Sequence, residues 1–540
     1  MTRPEHAGSA VATLSAPPVH EPARLSPLQA FGLSFTFIFL LGAIGFVDTV
    51  RQHPTLLLSI TGCAAALLAW GMILFVAAQR RGRFFILDVV VQKQHYVQAC
   101  AQGTLLLYWG WHWREVYGSA YLIVAQLAFA YAFDMLLCWS RRGTYVLGFG
   151  PFPVIFSINL FLWFKPDWFY LQFLMVALGF AAKHLIRWNR DGRRVHIFNP
   201  SSLPLAVFSL GLILTGTTDI TWARDIATTQ FYPPQIYLIL FLLALPGQFF
   251  FGVTAMTMSA VVVTYLFGVM YFAATGTYYF LDSNVPIAVF LGMHLLFTDP
   301  STSPRTELGR LIFGAIYGLS TVALLALLGN LGAPTVYDKL LQVPLMNLSV
   351  RLIDRVTRSK MLRALDPAAL GRALRPRQRN LAYMSIWAIV FATMSVTHGL
   401  GDHHPGQMLT FWLHACTDDR PYACDYSTTL LSNFCRSGSG WACNELGILQ
   451  AKIWDEPQKA AAAFKYGCER GLQPACINAT VNINSTGTFA TAPPALADYP
   501  IILQEGKGPI TDLRPSALFA RACRQGWRDT CGRTGQPAGR

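Results

Sequence analysis

Charge is scarce in this chain. Only 13% of its 540 residues are charged, about half of the ~25% that a soluble domain carries, which excludes a water-soluble protein over most of the length. Acidic side chains are the scarcer sign, 28 Asp and Glu against 42 Lys and Arg. Cysteine is nearly missing from the first 400 residues, where only Cys63, Cys100 and Cys138 occur. No C-x-x-C pair stands among them, so they read as small apolar side chains. No nucleophile, base and orienting group stand together, and His403-His404-Pro405 falls in a linker, so hydrolysis has no support. The first 26 residues lack a basic region running straight into a short apolar core with a cleavage site. They read as a disordered cytoplasmic tail and not as a cleaved signal peptide.

What is there is apolar: hydrophobic residues make up 53% and mean hydropathy is +0.38. Stretches able to span a bilayer occur near 28–48, 55–78, 96–113, 119–139, 146–164, 167–186, 200–216, 234–252, 256–279, 284–298, 309–330, 336–353 and 381–398. Short loops rich in Lys and Arg stay in the cytoplasm. The basic loops are Arg80-Arg81-Gly82-Arg83, Arg141-Arg142, Arg187 to Arg194, Arg305 to Arg310 and the long segment Arg351 to Arg379. With thirteen crossings and the N-terminus inside, all five face the cytoplasm. The net charge of +14 is then a topology signal with some attraction to lipid headgroups, and no nucleic-acid partner is expected.

Eight cysteines crowd the other end as four C-x₇-C pairs: Cys416 with Cys424, Cys435 with Cys443, Cys468 with Cys476, and Cys523 with Cys531. Paired cysteines on one side of a membrane protein read as disulfides in an oxidising compartment. The spacing is too wide for the usual C-x₂₋₄-C ligand pattern, so no metal site is expected. In YGCERGLQPAC and RACRQGWRDTC a Gly follows the first Cys by three residues, the left-handed position just past a helix end. Each bond then staples two antiparallel helices, worth on the order of 2 to 3 kcal/mol. An A-x-x-F-x-x-x-C-x-x-G-x-x-x-A-C pattern within Ala460 to Cys476 resembles the cysteine-rich branch of the Sel-one-like repeats. Successive first cysteines are 19, 33 and 55 residues apart, the last interval holding an insertion around Asn484 to Asp498. Such solenoids bind partners on a concave face.

Two segments in the membrane region are polar where a plain bundle needs no polarity. One is Arg193-Arg194-Val195-His196-Ile197-Phe198-Asn199-Pro200, where Asn199 can cap the helix that follows. The other runs from Phe297-Thr298-Asp299-Pro300 through Ser301-Thr302-Ser303 to Gly309-Arg310-Leu311-Ile312-Phe313-Gly314. Asp134 and Lys183 are further candidates, because an ionisable side chain at a membrane helix usually faces a cavity or partner. His95, His112, His184 and His294 lie near apolar segments, and each reads as interfacial or hydrogen-bonded inside the bundle before it reads as a haem ligand.

The TDPxTS…GRLIFG run, the FNP helix start preceded by Lys183, and PLMNLSVRLIDRVTR at Pro344 to Arg358 together resemble one membrane family. It comprises the RnfD protein of the Rnf electron-transport complex and the NqrB protein of the sodium-translocating NADH:quinone reductase. The resemblance covers roughly residues 50–360 and implies about ten helices in two repeated halves, with a membrane flavin that passes electrons while ions cross. Family members carry FMN on the Thr of an S-(G/Q)-A-T motif, and here the corresponding region reads LTGTTDITWARDIATTQFYPP. Thr218 is the nearest acceptor and Arg224 the nearest phosphate partner; Asn199, Thr298, Asp299 and Thr302 complete the cofactor-binding candidates for FMN or riboflavin.

The expectation is thus an all-α protein. Residues 1–26 form the tail, 27–358 a Rnf/Nqr-like bundle, 359–380 a basic linker, 381–398 an added helix, about 12 to 13 helices in the membrane, and 399–540 a small disulfide-stapled α-solenoid. Its expected home is the bacterial inner membrane, N-terminus cytoplasmic and C-terminal domain periplasmic. Its expected work is electron transport through a bound flavin, with redox partners docking on the repeat domain and a small ion as a further partner. A flavin-free transporter or assembly scaffold on the same fold is the alternative.

Overall fold

An apolar run in a bilayer can satisfy its backbone polar groups only by coiling, and helices dominate the computed structural model. It describes residues 22–231, 233–370, 374–436, 439–481, 488–491, 516, 517 and 520. Residues 1–21 and most of the insertion around Asn484 to Asp498 lie outside them. So does the fourth expected disulfide: Cys523 and Cys531 both fall outside the described residues, and the structure bears on only three of the four pairs. The first helices are α1 (Pro27–Ala43), α2 (Pro54–Arg80), α3 (Lys93–His112), α4 (Ala120–Arg141), α5 (Pro151–Asn159) and α6 (Phe169–Leu185). There follow α7 (Ser202–Thr215), α8 (Ile236–Phe251), α9 (Thr254–Thr275), α10 (Ile287–Leu295), α11 (Glu307–Asn330), α12 (Gln342–Thr357) and α13 (Pro376–Val396). Their starts are written locally: Ser26 and Gln29 close a capping box ahead of Pro27, and Thr306 Oγ1 accepts the Gly309 amide at 3.0 Å.

Six helices are long and apolar enough to cross a membrane among the described residues, fewer than the thirteen stretches the hydropathy suggested. They are Pro27–Phe46, Pro54–Arg80, Ala120–Arg141, Pro166–Leu185, Thr254–Thr275 and Glu307–Asn330. Ser202–Thr215 and Ile236–Phe251 are apolar but shorter. The stretches 146–164 and 284–298 hold only nine-residue helices, α5 and α10. Each continues into irregular backbone, Leu160–Phe164 and Leu296–Phe297, whose side chains are all buried. Irregular chain is tolerated at membrane depth where protein surrounds it. The stretch 336–353 is not an apolar span. Its helix α12 carries Arg351, Asp354 and Arg355 and buries Asn347, Val350, Asp354 and Thr357 along one face. A long helix, a nine-residue helix and another long helix thus occur twice, as α4-α5-α6 and α9-α10-α11.

Close packing of α9 on α11 depends on two glycines. A Cβ on Gly314 would stand 2.2 Å from Met256 O, and one on Gly318 would stand 2.7 Å from Ala260 O. Small residues four apart let membrane helices approach to backbone contact.

The few strands sit at loops. Residues 23–25, within the stretch read as a disordered tail, form β1 (Ala23–Leu25), which pairs antiparallel with β2 (Phe85–Val89); β2 pairs parallel with β3 (Thr144–Leu147). The basic loop after α6 is a hairpin, β4 (Arg187–Arg190) and β5 (Arg193–His196). Its two turn residues, Asp191 (φ 48) and Gly192 (φ 79), are both left-handed, as a two-residue hairpin turn of this hand requires.

Beyond the bundle, α14 (Leu409–Thr417), α15 (Ala423–Arg436), α16 (Gly440–Lys452), α17 (Pro457–Glu469) and α18 (Gln473–Thr480) stack as successive neighbours. Disulfides join Cys416 to Cys424, Cys435 to Cys443 and Cys468 to Cys476, each from the end of one helix to the start of the next. Gly471, three residues past Cys468, takes the left-handed conformation that ends α17 (φ 84). The stack meets the bundle through Tyr278, whose ring packs against His404 (4.3 Å between centroids) and Phe411 (5.0 Å). Tyr426 Oη donates to Tyr279 O at 2.6 Å.

Candidate functional site

Residues far apart in the chain meet in a polar knot at the end of α7. Asn199 Oδ1 accepts the amides of Ser201 (2.9 Å) and Ser202 (3.3 Å) at the head of that helix. Its Nδ2 donates to Leu296 O at 2.8 Å, and its own amide donates to Asn347 Oδ1 at 3.1 Å. Asn347 Nδ2 in turn donates to Thr302 O at 3.2 Å. Asp299 accepts the Ser301 amide on one carboxylate oxygen (2.9 Å) and faces His196 Nε2 with the other (3.1 Å). Thr298 Oγ1 donates to His294 O, and Thr302 Oγ1 to Asp299 O.

An ion pair locks the knot. The β4-β5 hairpin delivers Arg190, whose Nη2 donates to Asp354 Oδ2 at 2.6 Å and to Ser303 O at 2.9 Å, while the Arg305 amide donates to Asp354 Oδ1 at 2.9 Å. Arg190 and Asp354 are 5% and 6% exposed. At such burial each charge needs its partner, because an unpaired one would carry a desolvation cost of several kcal/mol. The spacing of Asn347 and Asp354, seven residues on a helix, is what puts both on the face of α12 that meets the FNP and TDP segments.

The cofactor candidates do not gather in one place. Asn199, Thr298, Asp299 and Thr302 belong to the knot, where their polar atoms bond to one another and to nearby backbone. Thr218 and Arg224 lie past the other end of α7, whose 14 residues span about 21 Å. There Thr218 is half-buried in a single helical turn and Arg224 is exposed. Lys165 stands with Nζ 5.5 Å from the Trp222 ring centroid, its amide donating to Ile220 O at 2.9 Å. A cation over an indole, with Thr218 and Arg224 close by in sequence, has the chemistry to hold a phosphate and a flat aromatic group. Two cavities among the described residues, one between α3, α8 and α10 and another beside Leu105, Trp109 and Gln230, are small: each has about 10 Å³ of space, room for one water. An isoalloxazine ring enters neither without the helices parting.

Of the other candidates, Asp134 on α4 meets His184 on α6, Oδ1 to Nε2 at 2.5 Å, and Lys183 Nζ stands 4.0 Å from its other oxygen. His294 is buried; its Nδ1 bonds to Phe290 O at 2.7 Å, and its Nε2 has no partner and borders the first cavity with Gln248. His112 Nδ1 is likewise unpartnered, and the ring packs edge-on against Tyr108. His95 lies beside Gly150.

Sequence reasoning missed Arg190, His196, Asn347 and Asp354 as members of the knot. Arg190 was legible only as one charge in a topology signal, although the Asp-Gly pair beside it marks the hairpin that aims it.

Residues 173–363 match the NQR2, RnfD, RnfE family model. Over that stretch the chain is similar to the NQR2, RnfD, RnfE family. The stretch contains the whole knot as well as Thr218 and Arg224, and it takes in two of the six candidate spans, α9 and α11, and most of a third, α6. The matched segment starts within α6 and ends before α13, so Asp134, α1 to α5 and the disulfide-linked helices lie outside it. No curated protein and no solved structure matches the chain. The chain is a multi-pass membrane protein whose residues 173–363 are similar to that family.

Proposed function

We propose that the protein passes electrons at the membrane through a bound FMN or riboflavin. The observation that carries this reading is the mutual bonding of the FNP, TDP and PLMN segments, the three motifs of a family of flavoproteins. The groups that fit the flavin are at the far end of α7: the Thr218 hydroxyl, Arg224 and Lys165 for a phosphate, Trp222 for the ring. When bound, the flavin supplies one- and two-electron chemistry. The chain's own part is to hold it there, with the knot fixing the helices from the opposite end. Since S-(G/Q)-A-T is missing, the flavin is held noncovalently. Coupling to a small ion, a bacterial inner-membrane home with the N-terminus cytoplasmic, and a periplasmic repeat domain that docks redox partners belong to the same proposal. Basic side chains at one end of α9 and disulfides beyond the other support that orientation.

The alternative, a flavin-free transporter or assembly scaffold, is favoured by the missing acceptor motif and by the small size of the two cavities described. Absorption and fluorescence spectra of the detergent-purified protein, before and after acid denaturation and beside Thr218→Ala, separate the readings. Flavin released on denaturation is the expected result. Flavin retained in the denatured wild type and lost from the variant moves the attachment to Thr218. A colourless protein from flavin-replete cells overturns electron transfer in favour of the alternative.

A further inference from the structure

Three side chains of different chemistry converge between α4 and α6, outside the knot. Asp134 and Cys138 are four residues apart and so share one face of α4; His184 comes from the last turn of α6. His184 Nε2 lies 2.5 Å from Asp134 Oδ1 and 3.4 Å from Cys138 Sγ, and the three ligand atoms all fall within 4.8 Å of one another. Asp134 and Cys138 are buried, 5% and 7% exposed.

The choice of ring nitrogen distinguishes two uses of such a trio. In a nucleophile, base and orienter relay the imidazole faces its two partners with different nitrogens. Here one nitrogen, Nε2, faces both the carboxylate and the sulfur, while Nδ1 is farther from the sulfur, at 3.9 Å. Three ligand atoms this close to one another can share a cation. Around a tetrahedral zinc ion, sulfur and nitrogen ligands stand roughly 3.6 Å apart and nitrogen and oxygen roughly 3.3 Å. The observed sulfur separation is close to that, and a change in the Asp134 rotamer opens the other.

We propose that Asp134, Cys138 and His184 bind a thiophilic divalent cation of the zinc type, with a fourth position open to an exchangeable ligand. A thiolate and a carboxylate together neutralise a divalent ion, so the loaded site adds no net charge at the membrane edge. Lys183, 4.0 Å from the second Asp134 oxygen, and Arg142 nearby offset the Asp134 carboxylate when no cation is present, and the cation takes the place of the Cys138 thiol proton. Of the other ten cysteines, the three disulfides described occupy six, Cys63 and Cys100 stand on α2 and α3, and Cys523 and Cys531 lie outside the described residues.

The test is cobalt(II) titration of tag-free, chelator-treated full-length protein in detergent. One equivalent is expected to bind with a thiolate-to-cobalt charge-transfer band and tetrahedral d–d bands, and zinc should bleach both. Cys138→Ser is expected to abolish the charge-transfer band, and His184→Gln and Asp134→Asn to weaken binding by more than about tenfold, while Cys63→Ser leaves the titration unchanged. No binding by the wild type, or binding without the thiolate band, overturns the proposal even if every variant fails to fold. An undiminished band in folded Cys138→Ser overturns it as well.

Discussion

The two ends of α9 are closed by opposite chemistry. At one, Arg310 Nη1 donates to Gly252 O at 2.7 Å, next to the loop that leads into the Arg190-Asp354 pair and the asparagine knot. At the other, Arg420 Nη1 donates to Gly276 O at 2.8 Å, and what lies beyond is aromatic and covalent: Tyr278 on Phe411, Trp412 on Tyr426 at 4.7 Å, and the disulfides. A polar knot has few members, and each loss leaves a buried partner unsatisfied. Aromatic area and covalent bonds fail gradually, because no single contact leaves a charge behind. The first kind of closure fixes geometry; the second attaches a domain.

Asp354→Ala should break the first end most severely. It leaves Arg190 buried without its counter-ion, a loss on the order of 3 to 5 kcal/mol, read as a large drop in thermal stability of the purified protein. At the second end, Cys435→Ser with Cys443→Ser should cost roughly 2 to 3 kcal/mol. Limited proteolysis would show faster cleavage around α15 and α16 with the bundle's fragments unchanged; equal loss in both regions would erase the contrast. Gly314→Ala sits between the ends and should cost about 1 to 3 kcal/mol, since the carbonyl it meets is backbone that cannot turn aside.

The smallest effect is a pH dependence confined to the disulfide-linked helices. Burial pushes half-buried Glu445 up to about 7, against the weaker opposing influence of its bond with Asn444 and of Lys452. Its folded-state proton affinity exceeds that of the unfolded chain, so the stability it contributes is full below about pH 4.3 and is lost as pH rises through about 7. With solvent screening this amounts to about 1 kcal/mol. The midpoint for unfolding of this region should fall from pH 5 to pH 8 in the wild type and stay flatter in Glu445→Gln; parallel pH profiles would remove Glu445 from the account.

Much of this was legible in the residues. Periodic spacing of Cys and Gly foretold that helices would be stapled at their ends, since the Cys468 to Gly471 interval encodes a helix end by itself. The FNP and TDP motifs were legible as polar interruptions, yet their joining was not. Asn199 and Asn347 are far apart in sequence, and either could have been a simple cap. Hydropathy did not tell Leu160 to Phe164 and Leu296 to Phe297 from helix, because they are as apolar as one; they are buried as irregular chain, a choice made by the neighbours around them.

Composition alone decided that this is a membrane protein with one cysteine-rich end, because scarce charge and paired cysteines act through the solvent and the redox compartment, whatever the fold. Which polar groups meet was decided only by tertiary structure. A buried carboxylate such as Asp354 or Asp134 takes its partner from whichever helix or hairpin packs against it, and local sequence carries no record of that neighbour.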